Sequence, residues 1–205
     1  LRNATLGDTF VRVLRHRGRA GGVQNYIDDT GVQVGDVVVG FVHLEKKSRP
    51  EVERLAASER FDYLCWDLYA RVGDFYAALP ANRKLQAATF HAIERGDTEE
   101  ARLAALVAGA IVDCHLRTME RLGIRYDLLA HESDILRLHF WDRAFELLKA
   151  RDAVRLETEG KSKGCWVLGM EQDKGGDEDK IIVRSDGTVT YTGKDIAYQL
   201  WKLGL

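Results

Sequence analysis

The sequence predicts a mixed α/β protein in which a long helical segment separates two shorter segments that contain strands. Three observations support this class. A helical pattern at the start is followed by a short run of β character, apolar residues keep helical spacing through the middle, and two β-rich runs lie near the C-terminus. Helices and strands in this succession are typical of layered folds. We place the three segments at residues 1–45, 46–150 and 151–205.

The first segment has the pattern of half a layered α/β fold. Its opening, LRNATLGDTFVRVLRHRG, predicts an amphipathic helix whose apolar positions share one face: Leu6, Phe10, Val13 and Leu14. Residues 23–27 have β character and lead into a turn-forming sequence at 28–31. Residues 34–41 are nearly all apolar, so periodicity leaves open whether they form a strand or a buried helix.

The middle segment is predicted to be almost entirely helical. Pro50 suits the first turn of a helix, where its missing N–H costs little. Asp97 or Thr98 can cap a later helix, and another helix follows Ser133. Three apolar stripes at helical spacing describe packing and carry no chemistry of their own, at residues 61–79, 103–122 and 135–148.

The last segment is predicted to contain a hairpin and a terminal helix. The runs CWVLGM and KIIVRS flank the charged stretch EQDKGGDEDK, which indicates a hairpin with a solvated tip. SDG then predicts a tight turn, TVTY a short strand and GKDIAYQLWKL a helix. Tyr191 and Asp195 lie four residues apart at this junction and are the main functional candidates.

The composition argues against several classes of protein. No apolar run approaches the length of a membrane span, and the first ten residues lack a signal-peptide pattern. Cys65, Cys114 and Cys165 lack the spacing of a disulfide scaffold or a zinc knuckle. We therefore expect reduced thiols in a cytosolic protein, with Cys65 and Cys114 in the core. The net charge of −2 does not by itself demand a nucleic-acid partner.

One short sequence, HESD at residues 131–134, begins like the helix motif of a zinc protease. That motif needs a second histidine on the same helical face, where this chain has Ile135. The other histidines make no matched ligand set, so we expect no metal site in the chain. A metal-dependent hydrolase is therefore the least favoured alternative. The usual glycine-rich phosphate motifs and the GxSxG motif are also absent from the sequence.

A second candidate is the acidic sequence Asp28-Asp29-Thr30-Gly31, with Gln33 two residues beyond it. Aspartate and glycine are residues that turns commonly use, and this interpretation is favoured. The alternative is a ligand contact, because strand ends line the crevices of α/β folds.

The pairing of Tyr191 with Asp195 also has two interpretations. Thr192 and Asp195 form a Thr-x-x-Asp pattern close to a capping box, which would make Asp195 a helix cap. Alternatively, the carboxylate accepts two hydrogen bonds from a planar guanidinium group, and the tyrosine ring stacks on that group or donates its hydroxyl. The spacing alone leaves both roles open.

Several segments together resemble one enzyme family. Residues 186–198 read DGTVTYTGKDIAY, which fits the pattern DGT-x-TY-x-x-x-D-[IL]-A-Y. Residues 29–33 fit D-x-G-x-Q, and residues 127–133 fit D-x-x-x-x-E-S. The opening LRNATLGDTF is similar to the helix that follows a His-x-Gly-His signature. The chain thus resembles arginyl-tRNA synthetases, which are class I aminoacyl-tRNA synthetases, and the DGT-to-DIAY segment is the most specific of these matches.

The resemblance implies that the chain is an internal fragment of a catalytic domain. The implied fold is part of a Rossmann-like class I catalytic domain, with residues 46–150 as a mostly helical insertion. In the family, the His-x-Gly-His signature would precede Leu1 and a Lys-Met-Ser-Lys-Ser type of signature would follow Leu205. Because these signatures lie outside the chain, no catalytic residue is assigned, and the chain alone is expected to be inactive.

The resemblance also implies a reaction and its participants. A cytoplasmic arginine–tRNA ligase uses ATP and Mg²⁺ to activate L-arginine and then transfers the arginyl group to tRNA(Arg). Tyr191 would pack on or hydrogen-bond the substrate arginine, and Asp195 would pair with its guanidinium group. Neither a membrane nor DNA is expected as a partner. The alternative function is a non-catalytic helical interaction module derived from a synthetase, which the long helical middle would support.

Overall fold

The computed structural model describes residues 1–57, 60–169 and 179–204. The chain forms two compact units, Leu1–Ala130 and His131–Leu205. The boundaries predicted at residues 45 and 150 divide the chain by its pattern of helices and strands, whereas these two units are divided by compactness. The predicted boundaries therefore remain a prediction.

The first unit is built mainly from helices around an apolar core. Its elements are α1 (Arg2–His16), β1 (Gln24–Ile27), α2 (Val32–Val39), a π-helical turn (Gly40–Leu44), α3 (Arg49–Ala56), α4 (Phe61–Ala78), α5 (Pro80–Arg95), α6 (Glu99–Arg121) and β2 (Leu128–His131). Strands β1 and β2 form a two-stranded sheet.

Helix α1 confirms the helical prediction for the opening sequence. Its apolar face, however, is not covered within the described part of the chain: Leu6 is 63 % exposed and Phe10 is 65 % exposed. The amphipathic pattern was therefore a correct guide to the helix, but the residues that it predicts to pack inward lie at the surface.

The apolar run at 34–41 is helical, which settles the question that periodicity left open. Two glycines allow this helix to pack closely. A Cβ at Gly35 would collide with the ring of Phe90, and a Cβ at Gly40 would lie 2.6 Å from Leu68. Short glycine-containing helices of this kind have apolar neighbours on several sides. Their sequence is therefore apolar throughout and lacks the periodicity that would distinguish a helix from a strand.

The core of the first unit joins α2, α4 and α6. Phe41 and Phe61 stack with their ring centroids 6.2 Å apart, and Val107 is fully buried beside them. Cys65 and Cys114 are buried, as predicted. Burial raises the pKa of the Cys65 thiol to about 12, so this residue behaves as an apolar core residue rather than as a nucleophile.

The helix starts of the first unit follow the predicted signals. Pro50 lies in the first turn of α3, where Ser48 and Glu51 also form a capping box. Thr98 is the cap of α6, and its hydroxyl oxygen accepts a hydrogen bond from the Ala101 N–H at 3.1 Å. Thr98, rather than Asp97, therefore carries out the predicted capping.

The second unit combines a three-stranded antiparallel sheet with three helices. Its elements are α7 (Glu132–Arg137), α8 (Phe140–Ala150), β3 (Val154–Leu156), β4 (Trp166–Leu168), β5 (Lys180–Val183) and α9 (Tyr191–Leu203). The strand order is β3-β4-β5, with Arg155 opposite Val167 and Val167 opposite Ile181. Helix α9 packs against α7, α8 and β5.

The predicted hairpin is confirmed by the pairing of β4 with β5. Its predicted solvated tip, residues 170–178, lies outside the described residues. The single helix predicted after Ser133 is wrong, because α7 and α8 are separate. His139 between them has a left-handed backbone with φ of 59°, which breaks the helix without any glycine or proline in the sequence to announce it.

The short strand predicted for TVTY is also wrong. Only Val189 makes a bridge, with Val183, and the helix begins at Tyr191 instead of at Gly193. The bend that brings Thr190 back onto β5 ends the extended backbone, since the Thr190 N–H donates to the Ile182 carbonyl at 2.9 Å. This earlier start decides the position of the two candidate site residues on the helix.

Taken together, the described residues form a mostly helical protein with two small sheets. The prediction of mixed helices and strands is confirmed at this level. None of the helices in the described ranges has both the length and the apolar character needed to cross a membrane.

Candidate functional site

The structure places Tyr191 and Asp195 on one face of α9. They occupy the first and fifth helical positions, and residues four apart on a helix are neighbours on its surface. Tyr191 is 76 % exposed, and Asp195 is also exposed. The predicted proximity of a ring and a carboxylate is therefore present, but both belong to the helix rather than to a strand end and a helix.

The capping interpretation of Asp195 is wrong. The cap residue of α9 is Thr190, so the third helical position is Gly193 and Asp195 lies beyond the first turn. The Thr190 hydroxyl is itself turned away from the helix, where it donates to the Ile181 carbonyl at 2.7 Å. Asp195 has therefore no capping role, and its carboxylate is available for other contacts.

Gly193 fixes how the first turn of α9 sits on the second unit. A Cβ there would lie 2.7 Å from Val189 Cγ1 and 3.1 Å from the Ile182 carbonyl oxygen. The first approach is shorter than real Cβ contacts and the second is tighter than most of them, so a side chain at this position would force its neighbours to shift. Gly193, Ala197 and Leu200, which are spaced by four and three residues, form one buried face of α9, and Tyr191 and Asp195 lie on the opposite face.

The charge environment of Asp195 is unusual for an exposed carboxylate. Burial, and secondarily the nearby carboxylate of Glu132, raise the pKa of Asp195. Within the described ranges, no cationic side chain lies at ion-pair distance from Asp195. The Asp195 carboxylate is therefore partly desolvated and has no ion-pair partner in this part of the chain. A ligand cation would supply that partner.

Sequence reasoning missed the ion pair next to this site. Lys194 Nζ donates to Glu132 Oε1 at 2.8 Å, and the two side chains are 20 % and 5 % exposed. Glu132 entered the sequence analysis only within the HESD motif and the D-x-x-x-x-E-S pattern. The two residues are 62 positions apart, so no local signal could join them.

The DGT sequence that precedes α9 has a local structural role. Gly187 has φ of 87°, and Asp186 Oδ1 accepts a hydrogen bond from the Thr188 N–H at 2.9 Å. Hydrogen bonds from Thr188 lower the pKa of Asp186. This turn returns the chain from β5 to the start of α9, so it positions the site without being part of it.

The second candidate, Asp28 to Gln33, lies in the first unit. Residues 28–31 connect β1 to α2, as the turn interpretation predicts. A Cβ on Gly31 would lie 2.8 Å from Asp28 Oδ1, so the turn folds tightly over its own carboxylate. A cavity of about 260 Å³ next to this turn is lined in part by Tyr26, Asp28 and His115.

The described residues bring together no group of three or more His, Cys, Asp or Glu side chains that could hold a metal ion. The HESD motif in particular forms no such group in this part of the chain. No metal site is therefore assigned to residues of this chain.

The arrangement on α9 suits the recognition of a planar cation. A carboxylate with free oxygens accepts a fork of two N–H groups, which a guanidinium group presents and an ammonium group does not. An exposed aromatic ring one helical turn away offers its face to the same cation. This chemistry is that of a binding site, since neither residue is a nucleophile toward the group that it would hold.

Comparisons with known proteins point to one family. No family model matches the chain. The chain is 38 % identical to the arginine–tRNA ligase of Thermococcus kodakarensis and 36 % identical to that of Thermus thermophilus. These matches include 99 % and 100 % of the chain but 33 % of each enzyme. The chain therefore spans about a third of the length of the curated relatives it matches.

The solved structures agree with the sequence comparison. The arginyl-tRNA synthetase of Thermus thermophilus superposes with a TM-score of 0.72 at 34 % identity, over 99 % of this chain and 32 % of that enzyme. The predicted resemblance is confirmed over the whole chain. Since these relatives are enzymes, the alternative of a non-catalytic helical module gains no support from them.

Proposed function

We propose that this chain is the part of an arginine–tRNA ligase that recognises the amino acid. Similarity over the whole chain to arginine–tRNA ligases supports the family, and the exposed pair of Tyr191 and Asp195 supports the role. The observation that carries the proposal is the start of α9 at Tyr191, because it frees Asp195 from capping and places both side chains on one face.

The proposed reaction has two steps. The carboxylate of L-arginine attacks the α-phosphorus of ATP, which forms arginyl-adenylate and releases pyrophosphate. The terminal ribose of tRNA(Arg) then takes the arginyl group and releases AMP. Mg²⁺ bound with ATP would neutralise charge on the phosphates. We assign no residue of this chain to the metal, and the role of this chain is to bind and orient arginine.

Specificity for arginine follows from the geometry of the two charged partners. Asp195 would accept two hydrogen bonds from the guanidinium group, which lysine cannot supply in the same plane. A neutral analogue of the same shape, such as citrulline, leaves the carboxylate without its counter-charge. Tyr191 would add contact with the face of the guanidinium group.

The larger context is part of the proposal. In the complete protein, residues 1–45 and 151–205 would form part of a Rossmann-like catalytic fold and residues 46–150 a helical insertion. We further propose a cytoplasmic enzyme. The similarity to arginine–tRNA ligases supports these statements, and the free, buried thiols are compatible with a reducing compartment.

The test is arginine-dependent pyrophosphate exchange by the full-length protein that contains this chain, with tRNA present. Asp195→Asn should raise the KM for arginine about a hundredfold or more, since a charge-assisted fork is lost. Asp142→Asn is the matched control, because Asp142 is an exposed carboxylate of the same unit that pairs with His139. An equal KM for arginine in wild type and Asp195→Asn would remove Asp195 from the site.

A further inference from the structure

Three arginines line a cleft in the first unit. The cleft has a volume of about 330 Å³ and is formed by α1, which carries Arg12 and Arg15, and by the chain beyond the end of α6, which carries Arg125. Arg12 joins these two parts, because its guanidinium group donates to the Gly123 carbonyl at 2.8 Å. Of the described residues that line the cleft, Asp8 is the one acidic residue, and it pairs with Arg12 at 2.6 Å. The lining of the cleft therefore has an excess of positive charge.

The other two arginines are only weakly paired. Arg15 lies 3.4 Å from Asp127 and its side chain is 55 % exposed, while Arg125 lies 3.9 Å from Glu120 and is 83 % exposed. Exposed ion pairs at such distances contribute little, because water and salt screen them. The guanidinium groups of Arg15 and Arg125 can therefore exchange these partners for a ligand anion at little cost.

The positive charge extends beyond the cleft itself. Residues 8–19 and 117–127 contain seven arginines and three acidic residues, although the net charge of the whole chain is −2. All seven arginines are exposed: Arg12, Arg15, Arg17, Arg19, Arg117, Arg121 and Arg125. By helical spacing, Arg12 and Arg15 lie on the side of α1 opposite to Leu6 and Phe10. A partner that covered the apolar face of α1 would therefore leave the arginine face accessible.

The chemistry of the cleft favours the phosphates of a nucleic-acid backbone as its ligand. The planar guanidinium group donates two parallel hydrogen bonds to phosphate oxygens. A single small anion gains little at so open a site, whereas a polyanion brings several phosphates together and releases its condensed counterions. A protein partner is less suited, because the core of a protein interface is poor in charged residues and most residues that line this cleft are charged.

We propose that the cleft between α1 and residues 123–125 binds phosphate groups of an RNA backbone, with Arg15 and Arg125 as the contacting residues. This inference rests on the proposed function in taking the RNA to be tRNA(Arg). It assigns an RNA contact to the first unit, whereas the proposed arginine site lies on α9 in the second unit. Contacts to phosphates position a nucleic acid without reading its bases, so the cleft contributes affinity and not sequence recognition.

The experiment measures the binding of tRNA(Arg) to the full-length protein at a series of salt concentrations. Each phosphate contact contributes about 0.7–0.9 to the slope of the logarithm of the binding constant against the logarithm of the salt concentration. Arg15→Gln combined with Arg125→Gln should therefore reduce the magnitude of this slope by about 1.4–1.8. Binding near physiological salt should weaken about tenfold or more. An unchanged slope in this double variant would overturn the proposal.

Two further double variants separate this site from a general effect of charge. Arg71→Gln combined with Arg95→Gln removes two arginines of the same unit that are 50 % and 69 % exposed, so it is the matched control and should keep the wild-type slope. An equal reduction in this control would overturn the proposal, because binding would then follow net charge alone. Arg15→Lys combined with Arg125→Lys keeps both charges and should keep most of the slope.

Asp195→Asn separates this proposal from the proposed function. It should lose arginine binding and keep the wild-type salt dependence of RNA binding, whereas Arg15→Gln with Arg125→Gln should do the reverse. If Asp195→Asn loses arginine and the arginine double variant keeps its slope, only the phosphate site fails. If Asp195→Asn binds arginine like wild type, the proposed arginine site fails, and a reduced slope in the arginine double variant still supports RNA phosphates in the cleft.

Discussion

At the scale of single residues, the candidate site consists of two exposed side chains, Tyr191 and Asp195, with a largely buried ion pair beside it. The sequence predicted that Tyr191 and Asp195 lie close together, because a spacing of four residues at a helix start leaves few other arrangements. It misplaced the helix start by two residues, since the bend at Thr190 depends on a hydrogen bond to β5. The pair of Glu132 and Lys194 is a contact between distant segments, which local patterns do not report.

The first prediction concerns the ring of Tyr191 in the full-length protein. Its high exposure leaves a ring face free to stack on a guanidinium group, which contributes about 0.5–2 kcal/mol. Tyr191→Ala should therefore raise the dissociation constant for arginine about tenfold, whereas Tyr191→Phe should change it by less than about threefold. Calorimetric titration measures both. A large loss in Tyr191→Phe would mean that the hydroxyl, rather than the ring face, makes the contact.

At the scale of elements, the packing of α9 on β5 and α8 positions the site. Gly193 permits this packing, and the sequence alone did not single out this residue, because glycine in a helix is ordinarily only a weak point. The separation of α7 from α8 was likewise not visible, since the apolar stripe at 135–148 continues across His139. By contrast, the helices α1, α3 and α6 and the pairing of β4 with β5 follow from strong local signals, namely amphipathic periodicity, caps and alternating β-rich runs.

The second prediction compares two helical glycines. Glycine to alanine in a helix ordinarily stabilises a protein by about 0.5–1 kcal/mol. Gly73→Ala in α4 should follow this rule, because a Cβ there has no atom within 4 Å among the described residues. Gly193→Ala should instead destabilise by about 1–3 kcal/mol, because the added methyl group meets Val189 and the Ile182 carbonyl. Urea unfolding of the full-length variants measures both changes.

The close contacts around Gly193 also predict an effect on arginine binding. Gly193→Ala should weaken arginine binding, since the methyl group displaces the first turn of α9, while Gly73→Ala should leave it unchanged. If Gly193→Ala were as stable as Gly73→Ala and bound arginine normally, the result would contradict this prediction. The packing of Gly193 against Val189 and Ile182 would then not position the first turn of α9.

At the scale of the whole molecule, resemblance supplied more of the functional account than physical patterning did. Periodicity and turn signals predicted a mixed α/β protein with a helical middle, which the structure confirms in outline. They did not predict that the apolar face of α1 lies exposed within the described part of the chain, because an amphipathic pattern says which face is apolar and not what covers it. The proposed function came from the combination of the DGT-to-DIAY segment with the geometry of α9.

The third prediction concerns the catalytic capacity of this chain. Its 205 residues contain neither the His-x-Gly-His nor the Lys-Met-Ser-Lys-Ser type of signature that the family resemblance connects with ATP. Expressed alone, the chain should form no arginyl-tRNA above a control without protein. Acid-precipitable radioactive arginine on tRNA measures this directly, with the full-length protein as the positive control. Arginyl-tRNA formed by the isolated chain would show that the 205 residues suffice for catalysis.

The most direct test of the central claim is calorimetric titration of arginine and of its neutral isostere citrulline into full-length wild type and Asp195→Asn. The account predicts that wild type binds arginine far more tightly than citrulline, and that Asp195→Asn loses most of this preference by weakening arginine alone. It also predicts that Asp195→Asn is at least as stable as wild type. The reason is that the pKa of Asp195 is raised in the folded protein, so its ionised form opposes folding at neutral pH. An undiminished preference for arginine in Asp195→Asn would contradict the account.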